Sequence, residues 1–235
     1  MIYITGDTHG DFSRIKDFCD KYGTTKEDIM IILGDAGVNY STYQNDLNKK
    51  RFIERKIPIT LFCIHGNHEK RPVHIKQYEI KRFMGGNVYR EPDFPSINFA
   101  IDGEMYYFNG LKTIVCGGAY SVDKFYRLEQ GWNWFEDEQP SEEIKKKVEK
   151  TLLENDNKVD IFLSHTTPYN YRPVEMFLPQ VDQSTVDHST ERWLQTLENK
   201  IEYKKWYCGH YHTDKTVDKI TILFKEVQML ELERG

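Results

Sequence analysis

The chain has 235 residues, of which 39% are hydrophobic and 29% are charged, and its formal net charge at pH 7 is −5. This composition is too apolar for a disordered chain, and no apolar run approaches the roughly 18 residues of a membrane-spanning helix. The acidic balance argues against a surface built to bind nucleic-acid phosphates. We therefore expect a globular protein without a membrane or nucleic-acid partner.

Short β-rich runs alternate with helical stretches along the chain. The predicted strands are residues 2–5, 29–33, 59–64, 112–116, 159–164 and 205–208. The predicted helices are residues 11–22, 141–153 and 189–197. Two hairpins are also predicted, one pairing 97–101 with 105–108 and one pairing 220–224 with 227–230. This mixture predicts a layered α/β sandwich, formed as a single domain over residues 1–235, rather than a purely parallel doubly wound sheet.

The start of the chain and its cysteines bear on the cellular compartment. Residues 1–5 lack both the basic region and the long apolar core of a signal peptide. Four cysteines lie far apart and form no Cys-x-x-Cys pair, and three of them fall within strand-like runs. This pattern is typical of reduced, buried thiols, so we expect a cytoplasmic protein.

Five polar clusters each stand directly after a predicted strand. They are residues 6–10 (GDTHG), 34–35 (GD), 65–69 (HGNHE), 164–165 (SH) and 209–212 (GHYH). Because the carboxyl ends of strands line the ligand crevice in α/β folds, these clusters can converge although they are distant in sequence.

Seven side chains in these clusters carry oxygen or nitrogen donors that suit divalent metals such as Mn²⁺, Fe²⁺ or Zn²⁺. The predicted metal ligands are Asp7, His9, Asp35, Asn67, His165, His210 and His212. A carboxylate shared between two ions would give each ion four protein donors and leave room for water and substrate. Any one of these residues alone has an ordinary structural explanation, such as an Asp in a turn beside Gly. Their combination in five clusters predicts a metal site.

The sequence resembles the calcineurin-like metallophosphoesterases, a family marked by D-x-H, G-D, G-N-H-[DE], a lone His and G-H-x-H in that order. All five motifs are present between residues 6 and 212. The resemblance implies a four-layer α-β-β-α sandwich with mixed sheets, a binuclear metal centre and hydrolysis of a phosphoester. It also implies two divalent ions, for which we expect Mn²⁺ first and Fe²⁺, Zn²⁺ or Ni²⁺ as alternatives.

The resemblance further implies a role for each motif residue. The implied ligands are Asp7, His9 and His212 for one ion, Asn67, His165 and His210 for the other, and Asp35 as the bridge. A metal-bound hydroxide would attack phosphorus in line, with the two ions stabilising the charge on the phosphoryl oxygens. His68 would be the general acid that protonates the leaving oxygen, since an imidazole titrates near neutral pH.

The motifs also depart from two branches of the family. Phosphoprotein phosphatases continue the second motif as G-D-x-x-D-R-G and place an Arg before the third. Here Val38 replaces the acidic residue and His65 precedes Gly66, so both phosphate-binding arginines of that branch are absent. Val38 also stands where purple acid phosphatases carry an iron-binding tyrosine. These departures argue against a protein phosphatase and against a tyrosinate-iron site.

Another basic residue must therefore hold the phosphate. Lys124 and Arg127 follow the predicted strand 112–116 and can return to the metal site, whereas Arg172 follows the fourth motif and Arg71 the third. Arginine suits a phosphate because its planar guanidinium presents a fixed fork of donors. Each of these side chains can equally make a surface salt bridge.

The leading hypothesis is hydrolysis of a small phosphorylated substrate, either a phosphomonoester or a nucleotide-type phosphodiester. A phosphate capped by Arg127 favours a monoester, and an open aromatic mouth favours a diester. Trp132 and Trp134 can stack on a base or pack in a secondary core, and the sequence leaves this open. A nuclease and a non-catalytic interaction module are the alternatives. The acidic net charge argues against a nuclease, and the complete set of metal-ligand residues argues against a non-catalytic module.

Overall fold

The computed structural model describes residues 1–232, which form two mixed β-sheets with helices on their outer faces. The strands are β1 (Ile2–Thr5), β2 (Ile29–Ile32), β3 (Thr60–Cys63), β4 (Glu79–Phe83), β5 (Gly86–Arg90), β6 (Ile97–Ala100), β7 (Met105–Phe108), β8 (Leu111–Cys116), β9 (Ile161–Ser164), β10 (Lys205–Cys208), β11 (Lys215–Val217), β12 (Ile220–Ile222) and β13 (Val227–Met229). The α-helices are α1 (Ser13–Tyr22), α2 (Tyr43–Lys56), α3 (Lys124–Glu129), α4 (Glu142–Leu153) and α5 (Ser189–Glu198).

Both sheets have a parallel centre and antiparallel edges. The seven-stranded sheet has the order β13-β1-β2-β3-β6-β5-β4, and the six-stranded sheet has the order β11-β12-β10-β9-β8-β7. Strands β1, β2, β3 and β6 run parallel in the first sheet, and β8, β9, β10 and β12 run parallel in the second. The carboxyl ends of these parallel strands lie at one edge of each sheet, where ligand sites form in α/β folds.

The core between the two sheets is formed by alternate residues of their strands. Ile31 of β2 and Phe62 of β3 pack there with Val115 of β8 and Leu163 of β9. Because successive side chains of a strand point to opposite faces, the next residue along each strand packs outward against a helix.

The outer faces of the sheets are covered by helices. On the seven-stranded sheet, Ile32 packs with Ile15 of α1 and Ile53 of α2. On the six-stranded sheet, residues of α4 and α5 pack against β8, β9, β10 and β12. The layers therefore run α-β-β-α, which confirms the fold class predicted from the sequence. Within the described residues, no helix is long and apolar enough to cross a membrane.

The six predicted central strands and the three predicted helices are present, with ends shifted by no more than two residues. The sequence does not predict α2, α3, β4, β5 or β11. Helices α2 and α3 both lack a strong apolar stripe. Helix α2 buries Asp46 and Lys50 beside Ile53, and no residue of α3 is buried. Helix α2 instead begins at a polar cap, where the Thr42 hydroxyl accepts a hydrogen bond from the Asn45 N–H.

The predicted hairpin between 97–101 and 105–108 is wrong, because its strands belong to different sheets. Strand β6 pairs with β3 and β5, whereas β7 pairs with β8 across a turn at Asn109 and Gly110. Both turn residues have positive φ, 51° and 79°. This is the backbone of a type I′ turn, for which Asn-Gly is the strongest sequence signal. The segment between β6 and β7 crosses from one sheet to the other.

The predicted hairpin between 220–224 and 227–230 is wrong for the same reason. Strand β12 pairs with β10 and β11, whereas β13 pairs with β1 in the other sheet. The Asp214 carboxylate accepts hydrogen bonds from three consecutive backbone N–H groups beginning at Phe224, at 2.7 to 3.2 Å. These bonds shape the second crossing between the sheets, which apolar patterning alone does not reveal.

All four cysteines are buried and free, as the sequence predicts. They lie within the sheets and α1 rather than at the polar clusters. Burial raises the pKa of the Cys63 and Cys116 thiols well above the usual value. A thiol held in this way is a small apolar side chain and a poor metal ligand, because the thiolate is the ligating form.

Arg71 lies in a buried ion pair beside the crossing between β6 and β7. Its Nη1 is 2.6 Å from Oδ2 of Asp102, and its Nε donates to the carbonyl of Asp137 at 2.9 Å. The other oxygen of Asp102 accepts from the Gly117 N–H at 2.7 Å. Arg71 thereby ties the crossing to the loop after β8, which explains its position without a role in phosphate binding.

We expect Arg71→Leu to lower the free energy of unfolding by about 3 to 5 kcal/mol, because it leaves the Asp102 charge buried without its partner. Urea denaturation measures this loss, with Arg55→Leu on the exposed face of α2 as the matched control. A loss of under about 1 kcal/mol, the range of a surface ion pair, would contradict the structural role.

Candidate functional site

The polar clusters converge at the carboxyl ends of five strands. The residues follow β1 (Asp7, His9), β2 (Asp35), β3 (Asn67, His68), β9 (His165) and β10 (His210, His212). The structure brings all seven predicted metal ligands and His68 into one group.

One part of the group consists of Asp7, His9 and His212. The Nε2 atoms of the two histidines are 2.9 Å apart, and Oδ2 of Asp7 is 3.4 Å from Nε2 of His212 and 3.8 Å from Nε2 of His9. Among residues 1–232, Oδ2 of Asp7 is buried with no hydrogen-bond partner. A divalent cation would satisfy this oxygen, so the three side chains fit a metal site.

The second part consists of Asn67, His165 and His210. Oδ1 of Asn67 is 2.8 Å from Nε2 of His165 and 3.1 Å from Nδ1 of His210. Nδ1 of His165 lies 2.7 Å from the carbonyl of Leu33, to which it must donate. In the neutral ring Nε2 is then an acceptor, and it faces the amide oxygen, which is also an acceptor. Two acceptors that face each other fit a cation between them.

Asp35 lies between the two parts. Its Oδ2 is 3.8 Å from Nδ1 of His9 and 3.9 Å from Nε2 of His165. Its Oδ1 accepts the backbone N–H of His68 at 2.8 Å. The ligand atoms of Asp7, Asp35 and His165 also lie within 4.8 Å of one another, so the two parts are contiguous.

The electrostatics of the cluster favour the ligating forms of Asp7 and His210. Burial disfavours the charge of Asp7, but His165, His212 and His9 outweigh it and lower the pKa of this carboxyl below its usual value. Burial lowers the pKa of His210 well below the usual value, which keeps its imidazole neutral. The adjacent Asp7 carboxylate raises the pKa of His212. A carboxylate and a neutral imidazole are the forms that bind metal.

Four of these residues have a strained backbone. His9, Asp35, His210 and His212 have φ between 47° and 71°, in the left-handed region. They are four of the nine non-glycine residues with positive φ in the described part of the chain. Each such conformation costs on the order of 1 to 3 kcal/mol and persists only where the surroundings enforce it, and such residues cluster at functional sites.

The glycine at position 66 is required by the close approach of Asp35. A Cβ atom at Gly66 would overlap both Oδ1 and the backbone nitrogen of Asp35. We therefore expect Gly66→Ala to displace this carboxylate and weaken Mn²⁺ binding by about 10- to 100-fold, the effect of disturbing a group that orients a ligand. Calorimetric titration with Mn²⁺ measures the change. Gly23→Ala, at the end of α1, is the control, and unchanged affinity in Gly66→Ala would contradict the account.

His68 lies at the edge of the cluster. Its Nε2 is 3.2 Å from Nδ2 of Asn67, 3.4 Å from Nη2 of Arg127 and 4.0 Å from Oδ2 of Asp35. Burial lowers the pKa of His68, although the charge of Asp35 acts in the opposite direction. The ring therefore borders the cluster without being enclosed by its ligands.

Of the four basic residues considered for phosphate binding, only Arg127 is placed beside the cluster. Its Nε is 2.7 Å from Oδ2 of Asp123, and its Nη1 donates to the Tyr40 hydroxyl at 3.1 Å, so it is held with Nη2 toward His68. The Lys124 ammonium instead lies 4.0 Å from the centre of the Trp134 ring.

Arg172 is held by Tyr169 and His188. Its guanidinium stacks 3.5 Å from the centre of the Tyr169 ring, and its Nη1 is 3.0 Å from Nε2 of His188. The two tryptophans pack within their own segment. Trp134 donates to Glu138 at 2.8 Å, and the exposed Trp132 packs edge-on against Tyr126.

Sequence reasoning missed the residues that support the ligands. Nδ2 of Asn67 donates to the Ser121 hydroxyl at 2.8 Å, which fixes the orientation of the amide. The buried Glu69 accepts from the N–H groups of Gly66 at 3.0 Å and Gly37 at 3.3 Å, so it joins the loops after β3 and β2. Burial and the neighbouring Asp35 raise the pKa of Glu69 to about 8. The signal for Glu69 is the acidic residue of the third motif, whereas Ser121 has no local signal.

A cavity of about 300 Å³ opens beside the cluster. Asp35, Asn67, His68, His210 and His212 line one end, and His188 and Glu191 line another part. The apolar part of its wall includes Tyr120, Val122, Met176, Phe177, Leu178 and Val186.

Glu191 is a buried acid in the wall of this cavity, and burial raises its pKa from 4.5 to about 7. The folded state therefore binds the proton more tightly than the unfolded state, so stability is lost as pH rises from about 4.5 to about 7. The corresponding loss is about 3 kcal/mol. Gln does not titrate, so Glu191→Gln should not show this loss. Relative to the parent protein, its free energy of unfolding should therefore rise by about this amount over that pH interval. Urea denaturation at pH 5 and pH 8 measures it, and a pH-independent difference would contradict the assignment.

Comparison with known proteins places this arrangement in a family. The family model for calcineurin-like phosphoesterases matches residues 1–214. The crystal structure of TT1561 of Thermus thermophilus aligns with a TM-score of 0.53 and 12% identity over 95% of this chain and 89% of that chain, which shows a shared fold. A second solved structure, 10% identical over 94% of this chain and 88% of its own, has a TM-score of 0.48, which is too low to add to the argument. No curated protein matches the chain significantly.

Because the matching family model covers most of its length, the chain belongs to the calcineurin-like phosphoesterase family, whose members are generally metal-dependent hydrolases of phosphoesters.

Proposed function

We propose that this protein hydrolyses a small phosphorylated substrate, a phosphomonoester or a nucleotide-type phosphodiester, with two divalent metal ions. The observation that carries the proposal is the position of Asp35. Its carboxylate lies between His9 and His165, which belong to the two parts of the donor cluster. A carboxylate in this position can serve both ions, as a two-metal site requires.

We assign the ligands in two sets that share the bridge. The assignment is Asp7, His9 and His212 for one ion, Asn67, His165 and His210 for the other, and Asp35 for both. When bound, two divalent ions supply an activated water and stabilise charge on the phosphoryl oxygens. The mixed oxygen and nitrogen donors suit Mn²⁺, with Fe²⁺, Zn²⁺ and Ni²⁺ as alternatives.

We assign His68 as the general acid. The two side chains nearest its Nε2, the Asn67 amide at 3.2 Å and the Arg127 guanidinium at 3.4 Å, are hydrogen-bond donors. The neutral ring therefore presents the lone pair of Nε2 toward the cluster, and protonation there produces the acid. Because burial lowers its pKa, the protonated ring gives up its proton more readily than a free imidazolium.

Arg127 is the residue that we propose to bind the phosphate. Asp123 and Tyr40 hold its guanidinium next to His68. A donor fork in this position can bind non-bridging phosphoryl oxygens while His68 serves the leaving oxygen. We assign no phosphate contact to Lys124 or Arg172, which are held by aromatic rings elsewhere.

The test is hydrolysis of p-nitrophenyl phosphate and bis-p-nitrophenyl phosphate by metal-free protein reconstituted with Mn²⁺, Zn²⁺, Fe²⁺ or Ni²⁺. We expect turnover that depends on added metal, and the preferred ester identifies the substrate class. If the protein binds metal but turns over neither ester with any of the four ions, phosphoesterase activity toward these two esters is refuted.

We also propose that residues 1–235 form one domain that acts in the cytoplasm. The family match over residues 1–214 and the continuous core between the sheets support the single domain. The four free, buried cysteines support a reducing compartment.

A further inference from the structure

We propose that the cavity beside the metal cluster binds the leaving group of the substrate, and that Glu191 and His188 recognise a nucleobase there. This inference rests on the proposed phosphoesterase function, and it names the substrate class. A nucleobase presents a flat ring with an N–H donor next to a nitrogen or oxygen acceptor.

The position and size of the cavity fit a leaving group. His68, the proposed general acid, lines it together with Asn67 and His210, so a group that leaves from phosphorus at the cluster can extend directly into it. Its volume of about 300 Å³ lies at the lower end of the range for small-molecule sites. The apolar wall suits a flat ring, and the rings of Phe177 and Tyr211 in that wall are within 18° of parallel.

Glu191 offers an unused hydrogen-bond acceptor to this cavity. Its side chain is 4% exposed, and one oxygen accepts from the Thr166 hydroxyl at 3.1 Å. The other oxygen, Oε2, is buried and has no hydrogen-bond partner within the described chain. An unpaired buried acceptor costs about 1 to 3 kcal/mol, so its presence in a cavity wall points to a ligand that supplies a donor.

His188 offers the complementary donor. Nη1 of Arg172 faces Nε2 of His188 at 3.0 Å, and because a guanidinium only donates, Nε2 is the acceptor. The proton of the neutral ring is then on Nδ1, which is buried and unpartnered among residues 1–232. Nδ1 lies 4.0 Å from Oε2 of Glu191, too far for a hydrogen bond between them.

Glu191 and His188 both line the cavity, and their unpartnered Oε2 and Nδ1 atoms lie 4.0 Å apart beside its apolar wall. A ring that carries an N–H group adjacent to an acceptor satisfies both at once. This arrangement also gives Arg172 a role, because its guanidinium donates to Nε2 of His188 and thereby sets the tautomer of that ring.

The test is binding of free nucleosides, which does not depend on hydrolysis. Calorimetry at pH 8, where the Glu191 carboxyl is ionised, is performed with the Mn²⁺-loaded protein. It compares adenosine with purine riboside, which lacks the amino donor, and uridine with 3-methyluridine, in which the donor is blocked. We expect adenosine or uridine to bind at least about tenfold more tightly than its donor-deficient analogue, the effect of one unpaired buried acceptor. Glu191→Leu and Glu191→Gln should reduce that ratio toward one, whereas Glu175→Gln on the exposed surface should preserve it.

The outcomes separate this inference from the proposed function. If p-nitrophenyl phosphate is hydrolysed but neither nucleoside binds, or if both nucleosides bind as weakly as their analogues, the leaving-group site is refuted and the phosphoesterase stands. If a nucleoside binds with the expected discrimination and neither ester is hydrolysed, the nucleobase site stands and phosphoesterase activity toward the two esters is refuted. Glu175→Gln should also leave kcat/KM for p-nitrophenyl phosphate unchanged, because its side chain lies outside both the cluster and the cavity wall.

Discussion

Replacing Asp35 by Asn is expected to lower the turnover of phosphoesters by on the order of 10³-fold, because a metal bridge contributes several kcal/mol to the transition state. The variant keeps the shape of the side chain, and the amide oxygen can still accept the backbone N–H of His68. It removes the charge and places an amide donor where Oδ2 faces His9 and His165. The change therefore affects the shared ligand more than the fold.

The measurement is kcat/KM with saturating Mn²⁺, together with the thermal midpoint of both proteins. Asp17→Asn, on the exposed side of α1, is the matched control and should match the parent protein in both. An Asp35→Asn variant that retains more than a tenth of the parent activity would contradict the bridging role.

Replacing His68 by Gln is expected to lower kcat by about 10²- to 10⁴-fold, the usual contribution of a positioned general acid. Bound metal should not change, because His68 lies outside the proposed ligand set. The loss should be larger for phenyl phosphate than for p-nitrophenyl phosphate, since the nitrophenolate leaves readily without protonation.

Rates on the two esters and metal content, measured on the same samples, test this role. His74→Gln, whose exposed ring contacts Asp137 outside the cluster, is the control. An equal loss of rate on both esters would indicate that His68 positions the substrate. A loss of bound metal would indicate that His68 is a metal ligand.

The convergence of the site could be predicted from the sequence because each polar cluster follows a parallel strand. Asp7 follows β1 and Asp35 follows β2, and neighbouring parallel strands place such residues at one edge of a sheet. A layered α/β sandwich could also be predicted, since strands such as β2 are apolar on both faces, whereas its four layers were implied by the family resemblance.

The partners of the edge strands could not be predicted, because apolar patterning does not say which sheet a strand joins. The crossing after β6 is held by Asp102 and Arg71, and the crossing before β13 by Asp214. These are long-range polar contacts, and each charged residue taken singly is typical of the surface.

The side-chain contacts around the cluster could not be predicted either. Lys124 and Arg127 are three residues apart on α3, yet one lies on Trp134 and the other beside His68. The direction of each side chain is decided by tertiary contacts that the local sequence does not encode. Glu191 lies in α5 and reaches the cavity only because that helix packs beside the loop after β9.

The most direct test of the account is a titration of metal-free protein with Mn²⁺ in which bound metal and the rate of p-nitrophenyl phosphate hydrolysis are measured on the same samples. The account predicts that two ions bind per chain, that the rate rises with the second ion, and that Asp35→Asn weakens the binding of both. Full activity with one ion, or in metal-free protein, would contradict a two-metal mechanism.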